Sequence, residues 1–433
     1  LLEGRDAPAT LAVSYSPATR TLTVVGTDAD NRLTIQGDAA DPTHFTLSST
    51  TDTFAGGGTT YASPSGVRNI SVRMLAGNDT VALSNSPPVR LAGGLSIDGG
   101  DGANTVTATD LTVGKTLSIR NGANAAGTDT TTLTNLNVNG SLTIANGDGD
   151  TSIFVGRSSA GVSAVGGSVS ITNGTGADSN SLQDLNVGGS VTVRNGHAAP
   201  GGFAGYTVLN NAYNSAARSQ VRGSVSVSYL DGSGSPDAIL DAEVGGNVAF
   251  SFGTGGGNVY FDALATRVPV LVHGSVSVTG TGTKILSTAY TAALGLVVGK
   301  NLTVTGGAAP DTVNLYRVTV TGTTSLNLGA GDNTFIVDDS LFVGPFKLTT
   351  GGGADTINLE TAVGTNTGTT FVRAATMSLG AGVDSLTLGG SDDANEALVF
   401  AGTFVVHHGA EGESPTTFGK DTYPFGGGLQ WVV

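Results

Sequence analysis

Leu302-Thr303-Val304 sets a hydroxyl residue between two aliphatic ones, and the same triplet returns along the chain. It stands as Leu95-Ser96-Ile97, Leu117-Ser118-Ile119, Leu142-Thr143-Ile144, Val169-Ser170-Ile171 and Val191-Thr192-Val193. It continues as Val225-Ser226-Val227, Val276-Ser277-Val278 and Met377-Ser378-Leu379. Val248-Ala249-Phe250, Leu326-Asn327-Leu328 and Phe346-Lys347-Leu348 keep the pattern with a changed middle residue. Most copies follow glycine, as after Gly166-Gly167 or Gly188-Gly189. A return about every two dozen residues, with an irregular period, is the mark of stacked solenoid units.

Two further echoes flank the first. Leu111-Thr112-Val113, Leu136-Asn137-Val138, Leu185-Asn186-Val187, Leu296-Val297-Val298, Val318-Thr319-Val320 and Leu341-Phe342-Val343 lead into the glycine turn. Asn104-Thr105-Val106, Asp311-Thr312-Val313, Asn333-Thr334-Phe335, Asp355-Thr356-Ile357 and Asp384-Ser385-Leu386 follow it. Each unit therefore reads as three short strands, with apolar residues on one face and Ser/Thr on the other. The fold expected is all-β: a right-handed parallel β-helix, a three-sided β-solenoid of about a dozen coils. Coils stacked at roughly 4.8 Å would make a rod on the order of 60 Å long.

Composition fits one long body. Of 433 residues, 39% are hydrophobic but only 6% aromatic, so the core is expected to consist of Val, Leu, Ile and Ala. Each such side chain, fully buried, contributes about 1.5–3 kcal/mol. The 67 glycines follow no collagen triplet and read as turn residues. A net charge of −15 argues against nucleic acid, whose phosphates need clustered Lys and Arg, and against anionic membrane surfaces. No apolar run approaches the ~18 residues of a membrane span, so no direct membrane insertion is expected. The absence of Cys excludes disulfides and agrees with bacterial export.

In order, residues 1–90 read as an N-terminal capping β region with Leu22-Thr23-Val24, Leu33-Thr34-Ile35, Phe45-Thr46-Leu47 and Ile70-Ser71-Val72. Residues 91–408 are the parallel β-helix, and 409–433 a C-terminal tail. A solenoid has an unpaired edge at each end, and both need covering. Two units carry long excursions: Ala198 to Arg218, with Phe203, Tyr206 and Tyr213, and Gly253 to Pro269, with Tyr260 and Phe261. Such loops either present ligand contacts or are tolerated insertions packed back on the body. In the tail, Gly426-Gly427-Gly428 precedes Leu429-Gln430-Trp431-Val432-Val433, with the only Trp. That strand either caps its own last coil or adds to the edge of a neighbouring molecule through Leu429, Trp431, Val432 and Val433.

Leu2-Glu3-x-Arg5-x-x-Pro8 resembles the short LExRxxP-like segment near the start of many exported planctomycete proteins. Val13 to Val24 is similar to what commonly follows it there. The resemblance covers about 25 residues. It implies export to the cell surface or beyond, and no particular chemistry.

Gly351-Gly352-Gly353-Ala354-Asp355-Thr356-Ile357 and Gly380-Ala381-Gly382-Val383-Asp384-Ser385-Leu386 are similar to single copies of the RTX nonapeptide. Gly77 to Val81 and Ala309 to Val313 match less fully. The resemblance implies Ca²⁺ at Asp311, Asp355 and Asp384. In RTX proteins, however, the motif runs in tandem, and here Asn333 replaces Asp in the coil between. The alternative is that these residues only make the turn.

Polysaccharide lyases and hydrolases also use parallel β-helices, with carboxylates grouped on one groove. Asp338-Asp339 and Asp392-Asp393 are adjacent, so on a strand they would point to opposite faces, which does not suit flanking one bond. His44, His197, His273 and His407-His408 show no catalytic or metal-binding spacing. The Ser/Thr ladder is too irregular in its middle residue to match an ice lattice. No catalytic residue is assigned and no enzymatic activity is expected. The function expected is an extracellular structural protein, the subunit of a cell-surface fibre or layer that polymerises head to tail through strand edges. The alternatives are a monomeric adhesin or carbohydrate-binding stalk that meets a surface glycan through Tyr206, Tyr213 and Tyr260, and a β-helical lyase or hydrolase.

Overall fold

A computed structural model describes residues 9–156, 163–197, 205–210, 219–231, 237–261, 269–282, 284–288, 295–361, 368–389, 397–409, 416–418 and 429–432. The chain is all-β, a parallel β-solenoid of about 11 turns with three main parallel sheets. It divides into two compact units, Leu1–Ala199 and Pro200–Val433.

In the first unit, the first sheet stacks Asn69–Arg73, Leu95–Gly100, Leu117–Asn121, Leu142–Ala145, Val169–Thr172 and Val191–His197 in parallel. Equivalent triplet residues meet in register: Leu95 on Leu117 on Leu142, and Ile97 on Ile119 on Ile144. The outer residues of each triplet are buried and the middle one faces outward, as alternation requires. The second sheet runs from Thr80–Leu83 to Asp178–Gln183, and the third from Arg90–Leu91 to Leu185–Val187. Inside, a buried amide chain links four coils. Asn121 Nδ2 donates to Asn146 Oδ1 at 2.8 Å, Asn146 Nδ2 to Asn173 Oδ1 at 2.8 Å, and Asn173 Nδ2 to Asn195 Oδ1 at 2.9 Å.

Strands that reverse direction begin this unit. Thr10–Ser16 lies antiparallel to Thr21–Val25, which itself pairs in parallel with Asn69–Arg73. Phe45–Ser48 lies antiparallel to both Arg32–Gly37 and Thr60–Ala62. Period-2 patterning locates Thr21–Val25, Arg32–Gly37, Phe45–Ser48 and Asn69–Arg73 but carries no information about strand direction.

In the second unit, the first sheet climbs from Val225–Asp231 through Leu302–Gly307 to Phe404–His407 and Leu429–Val432. The second sheet runs from Tyr206–Asn210 to Thr416–Phe418, and the third from Gln220–Val221 to Val399–Phe400. Glycine is required where coils approach closely: a Cβ on Gly380 would overlap the Gly351 carbonyl oxygen. The core differs from the aliphatic one expected, because phenylalanines concentrate at one end of this unit. Phe342, Phe371 and Phe400 stack coil on coil, with ring centroids 5.0 and 4.9 Å apart. A low average aromatic content conceals such a column.

Candidate functional site

The acidic corners form buried ladders. In the second unit the Asp311 backbone N–H donates to Asn333 Oδ1 at 3.0 Å, Asn333 to Asp355 Oδ1 at 2.9 Å, and Asp355 to Asp384 Oδ1 at 3.1 Å. In the first, Asn31 donates to Asp79 Oδ1 at 2.7 Å, Asp79 to Asn104 Oδ1 at 3.1 Å, and Asn104 to Asp129 Oδ1 at 2.8 Å. Each side chain thus accepts the N–H of the equivalent residue one coil earlier. All of them are buried. An amide separates carboxylates at two places, Asn104 between Asp79 and Asp129, and Asn333 between Asp311 and Asp355. Each amide also donates to backbone carbonyls of its own turn.

Burial raises Asp79, Asp129 and Asp384 of these ladders. Asp79 is pushed up to about 7, first by desolvation, with Asp30 and Asp52 adding to it. Asp178, which accepts the Thr151 hydroxyl at 2.9 Å, is likewise raised to about 7 by desolvation. Asp129 and Asp384 also rise through desolvation, Asp384 with a further contribution from Asp355. Calcium takes six to eight oxygens and carboxylate charge. The corner at Asp311, Asp355 and Asp384 offers at most one carboxyl per coil and none in the coil of Asn333, and one oxygen of each of Asp355 and Asp384 is already met by a backbone N–H. This donor set suits locking coil to coil and does not match a calcium cage.

A second acidic group lies at another turn of the same unit. The ligand atoms of Asp338, Asp339 and Glu360 all lie within 4.8 Å of one another. Arithmetic on an uninterrupted strand separates Asp338 from Asp339, but Asp339 adopts the left-handed conformation (φ 51°) and breaks the alternation. Arg317 and Glu360 take the same conformation at φ 56°. Arg317 Nε lies 3.4 Å from Asp339 Oδ2, and the Asp339 N–H donates to Glu360 Oε2 at 3.2 Å. Glu360 and Asp338 are 0% and 2% exposed. Desolvation, then the hydrogen bond with Asp338, holds the Glu360 carboxyl far above its ordinary range. Burial therefore favours the protonated form of this carboxyl. Sequence reading missed Glu360 and Arg317. For Arg317 the available signal was its place directly before a second-echo strand, where Asp110, Asn135 and Asp184 take φ of 57°, 53° and 47°.

The other residues singled out by sequence fall as follows. Tyr206 is exposed on Tyr206–Asn210, and Tyr260 is half-buried on Gly257–Phe261. Both strands pair with Asp237–Leu240, with Tyr206 beside Asp237 and Ile239 beside Tyr260, so the two tyrosines share the outer face of one sheet. Asn258 Nδ2 donates to Asp237 Oδ1 at 2.8 Å on that face. Phe203, Tyr213, Asp392-Asp393, Val433 and the Leu2 to Pro8 segment lie outside the described residues. The backbone of Leu429, Trp431 and Val432 adds in parallel to Phe404–His407 of the same chain, Phe404 beside Leu429 and Val406 beside Trp431. His44 Nδ1 lies 3.0 Å from Asp38 Oδ2, beside a shallow cavity lined by Pro42, Phe45, Pro87, Pro88 and Arg90. His273 Nε2 lies 3.1 Å from Glu243 Oε1. Among the described residues no helix is long and apolar enough to cross a membrane.

No protein-family model matches the chain, and no curated protein or solved structure does so either.

Proposed function

We propose that this chain is a non-enzymatic structural protein of the cell exterior, the subunit of a fibre or layer that assembles head to tail through its strand edges. The observation that carries this reading is the place of Leu429–Val432. It extends the first sheet beyond Phe404–His407 and, among the described residues, has no strand on its other side. Its sequence, Leu-Gln-Trp-Val, holds neither the charges nor the proline that keep solitary edges from pairing. A heterologous edge contact that does not close produces a filament. The similarity of Leu2 to Pro8 to the start of exported planctomycete proteins supports an extracellular location, as does the lack of Cys. Sedimentation of the purified chain over a concentration series tests the reading. Growing assemblies are expected, and a single monomeric species at every concentration would reject it.

The shared face of Tyr206 and Tyr260 favours a second reading, a stalk that binds a neutral glycan. Aromatic faces beside Asp237 and Asn258 combine an apolar platform with hydrogen-bonding groups. Binding on a glycan array that disappears in Tyr206→Ala and Tyr260→Ala would favour it over the first.

A further inference from the structure

Resting on the self-assembly reading, we infer that the Leu429–Val432 edge of one copy pairs antiparallel with the outer edge of Thr10–Ser16 in the next. The argument comes from strand direction. Thr10–Ser16 runs opposite to Thr21–Val25, and Thr21–Val25 runs parallel to its neighbour Asn69–Arg73. The first strand therefore runs against the coils of its unit. Leu429–Val432 runs with the coils of its own, parallel to Phe404–His407. Stacked with the coil direction preserved, the two edges meet in opposite directions.

Among the described residues, the outer edge of Thr10–Ser16 is open for most of its length. Thr53–Phe54 covers only Thr10 and Leu11, where the Leu11 carbonyl accepts the Ala55 N–H at 3.2 Å. Outward groups alternate along a strand, so after Leu11 they belong to Val13 and Tyr15. No described strand pairs with them. The strand, Thr-Leu-Ala-Val-Ser-Tyr-Ser, is uncharged and proline-free like its proposed partner. The third sheet of the same unit begins differently, with Arg90–Leu91 directly after Pro87-Pro88-Val89, the kind of edge that resists pairing. Thus the first unit begins with a reversed, unprotected strand, and the second unit ends with an unprotected strand that runs in the coil direction. A two-fold contact between two Leu429–Val432 edges would also be antiparallel, but it closes into a dimer.

Cysteine cross-linking separates these outcomes, because the chain has no Cys of its own. Directly opposed residues of an antiparallel pair lie about 4.5–5.5 Å apart at Cα, within disulfide reach. Ser14→Cys is mixed, in turn, with Leu429→Cys, Gln430→Cys, Trp431→Cys and Val432→Cys under oxidising conditions, after assembly of the full chain. A disulfide between Ser14→Cys and one of the four tail positions, the one it directly opposes, is the result expected. Disulfides only between two Gln430→Cys copies would overturn the pairing in favour of a closed dimer. Filaments with no Ser14 cross-link at any tail position would overturn it while leaving self-assembly standing. If the unaltered chain forms no assemblies, the underlying reading fails and the pairing with it. Ser14→Lys supplies an independent check: it should abolish filaments while leaving the far-UV circular dichroism unchanged, and undiminished filaments would count against the pairing.

Discussion

Asn333 gives Asp355 two hydrogen bonds at one oxygen: its backbone N–H and its side-chain Nδ2 both lie 2.9 Å from Asp355 Oδ1. The amide therefore spaces two buried carboxyls and neutralises their approach. Asn333→Asp would set a third carboxylate between Asp311 and Asp355 and turn donors toward the Gly331 carbonyl into acceptors. We expect a loss of about 2 kcal/mol or more at neutral pH, shrinking in mild acid. Urea unfolding at pH 5 and pH 7 measures it. Equal stability of variant and parent at pH 7 would deny the ladder its role.

The buried corners also set a pH dependence. Asp79 and Asp178 are raised from the ordinary carboxylate value of 3.8 to about 7 by burial. Between those values the unfolded chain has lost these protons and the folded chain has kept them, so stability falls as pH rises. The contribution is fully present below about 4 and gone above about 7. Thermal midpoints should therefore decline from pH 4 to pH 7, against the common trend, and the decline should flatten in Asp79→Asn with Asp178→Asn. A midpoint that rises through this window in the parent, with no effect of the two substitutions, would contradict the burial argument.

Glu360 extends the same logic to higher pH. Its carboxyl is raised to about 9, first by desolvation and then by Asp338 beside it, so the protonated form is favoured at neutrality. Raising the pH past neutrality should then loosen the coils around Arg317, Asp339 and Glu360. Glu360→Gln keeps an acceptor for the Asp339 N–H and removes the titration, so its alkaline stability should exceed the parent's. Glu360→Ala leaves that N–H unmet and should cost about 1–3 kcal/mol. Alkaline unfolding followed by circular dichroism distinguishes the two, and identical curves for parent and Glu360→Gln would refute the raised carboxyl.

Asn146 sits in the middle of the buried amide chain, accepting from Asn121 and donating to Asn173, each at 2.8 Å. Asn146→Ala strands a donor above and an acceptor below. The expected cost is about 2–4 kcal/mol, since each unmet buried group costs roughly 1–3. A change below about 0.5 kcal/mol in chemical denaturation would show the amides to be independently satisfied.

Calcium should be without effect. The Asp355 and Asp384 carboxyls already hold backbone N–H groups, so neither added Ca²⁺ nor a chelator is expected to move the thermal midpoint. A clear upward shift with Ca²⁺ that is lost in Asp355→Asn would restore the RTX-like reading.

How far these features could be read from sequence depends on the kind of information each needs. Leu302-Thr303-Val304 and its echoes disclose the strands, because the alternation of buried and outward residues is local. The reversal of Thr10–Ser16 depends on a partner strand and is not local. The sequence offers the Asp355 corner as a calcium ligand or a turn former, without its orientation. Its inward placement arises only when equivalent N–H groups of successive coils are stacked. Asp338 and Asp339 were assigned to opposite faces by strand arithmetic, which fails at one left-handed residue. Glu360 lies one coil away, and irregular coil lengths hide that adjacency.

Negative-stain electron microscopy of the purified full chain, beside a version lacking residues 426–433, tests the central claim most directly. The account predicts long filaments of uniform width from the full chain, and only single folded particles once the terminal strand is removed. Single particles from the full chain at every concentration would contradict it.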